Sequence, residues 1–292
     1  MRKILVVVDM QNDFVDGALG TKEAEAIVMF EKDCEEELRT EKFLRFMKAT
    51  RWIYLVIIIL TVLFMIWWTF SQQHLMFVLY FAFVILCIVG IYLYKRKFMK
   101  NMFYLQFTAC NMKKALTVYL VMLRNSKEIE RSDAGLYGIG SVLLCMGEFD
   151  KAIEIANLIE RYTNTATSKV YALIIRTSAA FYKKETETLE SCIEQLGQMA
   201  AQNATPFIRS TYNMASEYPE ILKFQENSDY AGALELLSKE EYNRETLSKV
   251  SSNYRLYRIA KAVGMEQEAA RHKEYVLANG GDIFYRKNIV NE

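Results

Sequence analysis

The chain has little proline, little histidine and no paired-cysteine motif. Only Pro206 and Pro219 interrupt its 292 residues, and because proline breaks helix interiors, such scarcity suits a largely helical chain. Two histidines, His74 and His272, are too few to suggest metal ligation. The five cysteines, Cys34, Cys87, Cys110, Cys145 and Cys192, are odd in number, widely spaced and without a C-x-x-C pair. They fit a reduced cytoplasmic protein better than a disulfide framework or a zinc site. An excess of one charge is also missing, since 36 basic against 35 acidic residues leave a net charge of +1. No nucleic-acid footprint follows from that balance. The phosphate-binding G-x-x-x-x-G-K-[ST], a G-x-G-x-x-G after a strand, H-E-x-x-H and G-x-S-x-G are all absent, and no nucleophile has a histidine nearby. The expectation is no cofactor, no metal and no nucleic acid.

Long apolar runs are what the chain does have. Residues 52–70 and 75–94 carry no residue charged at neutral pH, and only Ser71, Gln72, Gln73 and His74 separate them. Each run is about the length a helix needs to cross a bilayer's hydrocarbon core. With no polar face, neither leaves water a side to wet, so a transmembrane hairpin is expected rather than a buried soluble one. Aromatic residues mark the run ends, with Trp52 and Tyr54 opening the first, Trp67, Trp68 and Phe70 closing it, and Tyr92 and Tyr94 closing the second. Such belts lie at headgroup level and contact membrane lipid. Arg39, Lys42, Arg45, Lys48 and Arg51 precede the hairpin and Lys95, Arg96, Lys97 and Lys100 follow it, whereas the connecting loop has no Lys or Arg. The charge asymmetry places both termini on the cytoplasmic side of the cell membrane, in a multi-pass arrangement. Residues 29–51 read as a charged juxtamembrane helix, acidic at its start and basic toward the membrane, which suits the helix dipole.

The first 28 residues are of another kind. An apolar strand, Ile4 to Val8, runs into Asp9, Gln11, Asp13 and Phe14. This D-x-Q-x-D-F stretch resembles the opening of the isochorismatase and nicotinamidase-like cysteine hydrolases. The resemblance implies that Asp9 corresponds to the aspartate of an Asp, Lys, Cys triad. It ends within about 28 residues, before the segments that carry the family's lysine and cysteine, and one strand cannot form a doubly wound sheet. The stretch therefore reads as a short strand-like fragment left by gene fusion, assembly error or recombination, with Met29 marking the start of the original chain. Asp9 is a relic in that reading, and no catalytic residue is assigned.

From residue 101 onward the pattern is almost continuously helical, with apolar residues at three and four residue steps and short polar breaks. Within 133–165, Leu136, Gly140, Leu143, Gly147, Phe149, Ala152 and Ala156 stand where small residues let two helices cross and large ones pack between them. This unit resembles a tetratricopeptide repeat. Ala115, Ala152, Leu189, Ala233 and Ala269 follow one another at intervals of 37, 37, 44 and 36 residues, each after a polar turn. Residues 101–292 are accordingly expected to form a degenerate tetratricopeptide-like domain, with insertions near the two prolines. Asp133, Ser168 and Thr205 are the expected helix N-caps, and Asn279, Gly280 and Gly281 an expected helix stop.

The expected fold is thus mainly α, a transmembrane hairpin followed by a cytoplasmic helical-repeat domain. Its C-terminal part is rich in tyrosine and arginine, and Tyr212, Tyr254, Arg255, Tyr257 and Arg258 are the residues expected to meet a protein or peptide partner. A scaffold or adaptor at the membrane is the expected function. A cysteine hydrolase and an accessory subunit of a membrane complex are the alternatives. The oligomeric state is left open.

Overall fold

Each apolar run lies inside a helix longer than itself. The computed structural model describes residues 33–71, 74–124, 133–162, 165–202 and 205–292. Helix α1 spans Cys34–Ser71 and α2 spans His74–Phe103. The charged segment and the first apolar run are therefore one helix of 38 residues. At 1.5 Å per residue it is about 57 Å long, well beyond a hydrocarbon core of about 30 Å. Glu35, Glu36 and Glu37 occupy its first turn, as suits the positive end of the dipole. Both helices are long and apolar enough to cross a membrane.

Residues 34–104 form a unit of their own. Its two helices run antiparallel, as three levels of contact show. Near the charged ends Phe43 stacks on Phe98 with ring centroids 3.7 Å apart. Midway, the Thr61 and Tyr80 hydroxyls hydrogen-bond at 2.8 Å, and Phe64 stacks on Tyr80 at 4.3 Å. Toward the far end Trp68 meets Phe77 at 4.9 Å. A paired polar contact costs an apolar surround far less than two unpaired hydroxyls. Outside this seam the apolar side chains face outward, and Trp52, Trp67, Tyr92 and Tyr94 are exposed while Trp68 is half-buried.

The second unit contains residues 105–292. After a π-helical turn, Tyr104–Thr108, twelve helices follow among the described residues: α3 Met112–Arg124, α4 Asp133–Met146, α5 Phe149–Tyr162, α6 Ala166–Lys183, α7 Thr186–Gln202, α8 Pro206–Ser216, α9 Tyr218–Glu226, α10 Tyr230–Leu237, α11 Glu240–Asn243, α12 Thr246–Ala262, α13 Glu266–Asn279 and α14 Phe284–Val290. No strand occurs among the described residues. The strand-like fragment read at residues 1–28, with Asp9, Gln11, Asp13 and Phe14, lies outside them.

Five of these helices begin after the same kind of turn. Cys110, Gly147, Lys184, Ser228 and Gly264 all have positive φ, between 49° and 85°. Each stands five residues before one of Ala115, Ala152, Leu189, Ala233 and Ala269, so the turns share the 37, 37, 44 and 36 residue intervals. All five of those later residues are buried, and each N–H closes the first helical turn on the carbonyl four residues back. At four of the turns the residue after the left-handed one donates to the carbonyl five back, as Glu148 does to Leu143 at 3.0 Å and Glu185 to Ala180 at 2.9 Å. This is the Schellman arrangement, which satisfies carbonyls orphaned at a helix end. At Cys110 the bond reaches one residue further, from Asn111 to Leu105 at 2.8 Å, because the turn before it is π-helical.

Close crossings follow the small residues. A Cβ on Gly140 would lie 2.5 Å from Ile175 Cδ1 and 3.4 Å from Ile155 Cγ2, so α4 meets α5 and α6 at backbone distance. The caps differ from expectation at two places: Asp133 is itself a helical residue of α4, and the cap of α6 is displaced. Thr165, rather than Ser168, is the N-cap of α6; its hydroxyl accepts from the Ser168 N–H at 3.0 Å, and Ser168 instead donates to Asp133 at 3.1 Å. Thr165 has the extended backbone a cap requires, and Ser168 lies inside the first turn. Thr205 caps α8 with Pro206 directly after it.

The last turn of the domain closes onto its first helix. Asp282 accepts from the Met112 and Lys113 N–H groups at 2.5 and 2.9 Å, and its own N–H donates to the Cys110 carbonyl at 3.2 Å. A carboxylate at a helix N-terminus satisfies orphan donors and meets the positive end of the dipole.

Candidate functional site

Three segments distant in sequence meet around one arginine. Helix α12 presents Tyr254, Arg255 and Arg258. The C-terminal end of α6 contributes Phe181, Tyr182 and Lys184, and α14 contributes Phe284, Tyr285 and Lys287; together these line a groove of ≈ 760 Å³. The two outer segments repeat one pattern. Residues 181–184 read Phe, Tyr, Lys, Lys and residues 284–287 read Phe, Tyr, Arg, Lys, and in each the aromatic pair and the final lysine line the groove.

The aromatic wall is tied together. Tyr285 donates to Tyr182 at 2.7 Å and shares a hydrogen bond with Ser251 at 2.8 Å. Phe284 packs edge-on against Phe149 and Tyr182, both at 5.5 Å. Gly147 permits this approach, since a Cβ there would lie 3.0 Å from Phe284 Cβ. Asn288 donates to the Tyr254 hydroxyl at 3.2 Å. Burial drives the Tyr285 phenol well above its ordinary pKa, with Tyr182 beside it adding to the shift. The Tyr285 phenol is therefore a neutral hydrogen-bonding group at physiological pH.

Arg255 is 6 % exposed and its guanidinium carbon lies 4.8 Å from the Phe181 ring centroid. Burial works against the charge, yet its pKa stands above the ordinary arginine value under the influence of Tyr285, Tyr182, Tyr218 and Tyr242. It is a buried cation at any working pH. No described residue gives it a carboxylate or a hydrogen-bond acceptor. Elsewhere in the domain an arginine is matched internally: Arg176 makes a bidentate pair with Glu160 at 2.6 and 2.7 Å beside a smaller cavity of ≈ 420 Å³.

No family model, curated protein or solved structure matches the chain. The site therefore rests on its own geometry.

Of the residues singled out in the sequence, Tyr254, Arg255 and Arg258 come together in the groove. Tyr257 does not line it. Its side chain is buried and donates to Glu292, which also pairs with Arg258 at 2.9 Å and Lys261 at 2.6 Å. Those partners hold the Glu292 carboxyl down at about 2, with the Lys261 hydrogen bond the largest cause. Tyr212 belongs to a separate cluster with Leu196 and Ile208, lying 3.0 Å from where a Gly197 Cβ would stand. The sequence reading missed Phe181, Tyr182, Phe284 and Tyr285, for which the doubled aromatic and basic pattern is the available signal.

Groups suited to other chemistry are sparse. No cluster of three or more His, Cys, Asp or Glu side chains suited to a metal occurs among the described residues. Burial raises the Cys110 thiol to about 11 and the Cys145 thiol to about 12, and it raises Cys192 as well. All five cysteines are free thiols.

Proposed function

We propose that the chain is a membrane-anchored helical-repeat scaffold that binds a protein partner at the cytoplasmic face of the membrane. The observation that carries this reading is the groove around Arg255, an aromatic cleft with a buried, unmatched cation. Aromatic and arginine side chains dominate protein-binding hot spots because they offer large contact area together with directional bonds. Recurrence of the left-handed turns at the intervals of the buried Ala and Leu positions supports a degenerate repeat, in which stacked helix pairs build one continuous core. The cationic flanks at Arg39 to Arg51 and at Lys95 to Lys100 support the cytoplasmic placement of both ends. A cysteine hydrolase is less well supported, because burial holds the Cys110, Cys145 and Cys192 thiols protonated and such thiols are poor nucleophiles.

Site-specific photo-crosslinking in the native membrane tests this. A photoreactive residue at Asn288 is expected to capture a defined partner, and the capture is expected to survive replacement of residues 52–94 by an unrelated two-span anchor. Loss of the partner on that replacement favours an accessory subunit that makes its specific contact through the hairpin. Absence of any defined crosslink from the groove defeats the scaffold, and turnover of nicotinamide or isochorismate by purified protein revives the hydrolase.

A further inference from the structure

Among the residues lining the groove, Lys184, Arg255, Arg258 and Lys287 are basic and none is acidic. Arg258 already has Glu292. Neither Lys184 nor Lys287 has an ion pair among the described residues, and both are exposed at the rim. Arg255 is the outlier, since a guanidinium has five donors in a planar fork and burying them unmatched is costly. One face of it lies over the Phe181 ring. The edge of a guanidinium is the part that grips a carboxylate with two parallel bonds. The bidentate Arg176–Glu160 pair shows that geometry within the same domain.

We infer that the groove contains a subsite for a single carboxylate, that the occupant is an acidic side chain in a peptide segment of a partner protein, and that Arg255 receives it. The inference rests on the reading of the groove as a partner site. One buried cation calls for one negative charge, and a dianionic phosphate would carry a second charge into a place that has no second buried cation to meet it. The walls formed by Phe181, Tyr182, Phe284 and Tyr285 suit apolar or aromatic residues flanking the acid. At the rim, Lys184 and Lys287 would steer an acidic segment inward without being buried themselves.

The test selects peptides on full-length protein in nanodiscs of uncharged lipid. A random peptide library is panned in parallel against wild type and Arg255→Met, which keeps the stem and removes the fork. Wild-type pools are expected to converge on one Asp or Glu beside aromatic or aliphatic residues, and pools from the variant to lose that acid. For a resynthesised binder, changing its acid to the amide, or Arg255→Met in the protein, is expected to weaken binding about 10- to 100-fold. The two changes together should cost no more than either alone, because each removes the same contact. If Arg255→Met does not fold, the acid-to-amide exchange in the peptide and Arg255→Lys, which keeps charge without the fork, decide the matter. The inference is overturned by pools without an acid, by no enriched peptide, by an acid preference that survives in the variant, or by competition from inorganic phosphate where acetate fails. A non-acidic consensus would overturn the carboxylate subsite alone and leave the crosslinking result at Asn288 standing.

Discussion

His272 is held as a neutral ring inside the second unit. Its Nδ1 lies 2.7 Å from Asn253 Oδ1 and its Nε2 lies 2.9 Å from the Tyr230 hydroxyl. Burial first, then neighbouring Arg271, lower its pKa below 6.5, against a smaller opposing pull from Glu268. The unfolded chain therefore binds more protons than the folded one below that value, so stability is complete above it and falls as the pH drops. The melting temperature of detergent-solubilised protein is expected to fall between about pH 7 and about pH 5, and His272→Gln to flatten that part of the profile. An unchanged slope in the variant would show that other groups set it. Gly281 makes a steric prediction at the same scale. Its φ is +51°, and a Cβ would run into the Cys110 carbonyl oxygen, with the carbonyl carbon 2.8 Å away. At Gly264 φ is +73° but nothing lies within 4 Å of the Cβ position. Gly264→Ala carries only the left-handed penalty of about 1 kcal/mol, whereas Gly281→Ala also forces backbone apart and is expected to cost about 2 kcal/mol or more. Denaturant melts of the two variants check the order.

At the scale of elements, the five recurring turns show what was readable in the chain and what was not. Ala115, Ala152, Leu189, Ala233 and Ala269 set the spacing in advance, since a buried helix crossing favours small side chains. The left-handed residues before them were legible only at Gly147 and Gly264. Cys110, Lys184 and Ser228 adopt the same conformation with a Cβ, so no glycine announces those turns. The hydrogen bonds that close each turn, as from Glu185 to Ala180 and from Asp229 to Phe224, hold them there against local preference. The groove was half legible for a related reason. Tyr254, Arg255 and Arg258 share one helix, but Tyr182 and Tyr285 stand 103 residues apart, and only the fold brings them together. Ser228 allows the strain to be measured. Its φ is +54°, and Ser228→Gly is expected to stabilise the protein by about 0.5 to 1 kcal/mol, the relief of the left-handed strain less the extra freedom of glycine in the unfolded chain. A lower melting temperature in this variant would mean that the Ser228 side chain contributes more than its backbone costs.

For the whole molecule the decisive question is which way the hairpin lies. Two apolar helices of 38 and 30 residues with exposed apolar faces explain why the chain would enter a bilayer, but length and composition do not orient it. Orientation comes from charge. Lys42, Arg45, Lys48 and Arg51 are exposed on α1, and Arg96, Lys97 and Lys100 on α2, whereas residues 71–74 carry no Lys or Arg. Moving seven or more cations through the membrane would cost far more than passing the uncharged connection across, so that connection is expected to face outward. Thiol labelling with a membrane-impermeant maleimide reads this directly. Cys34 is exposed near the start of α1, while Cys110 and Cys192 are buried and burial keeps both of those thiols protonated. In intact cells Gln72→Cys is expected to label and Cys34 to stay protected until the membrane is permeabilised. Labelling of Cys34 in intact cells, with Gln72→Cys protected, would reverse the topology and overturn the proposed cytoplasmic placement of both ends.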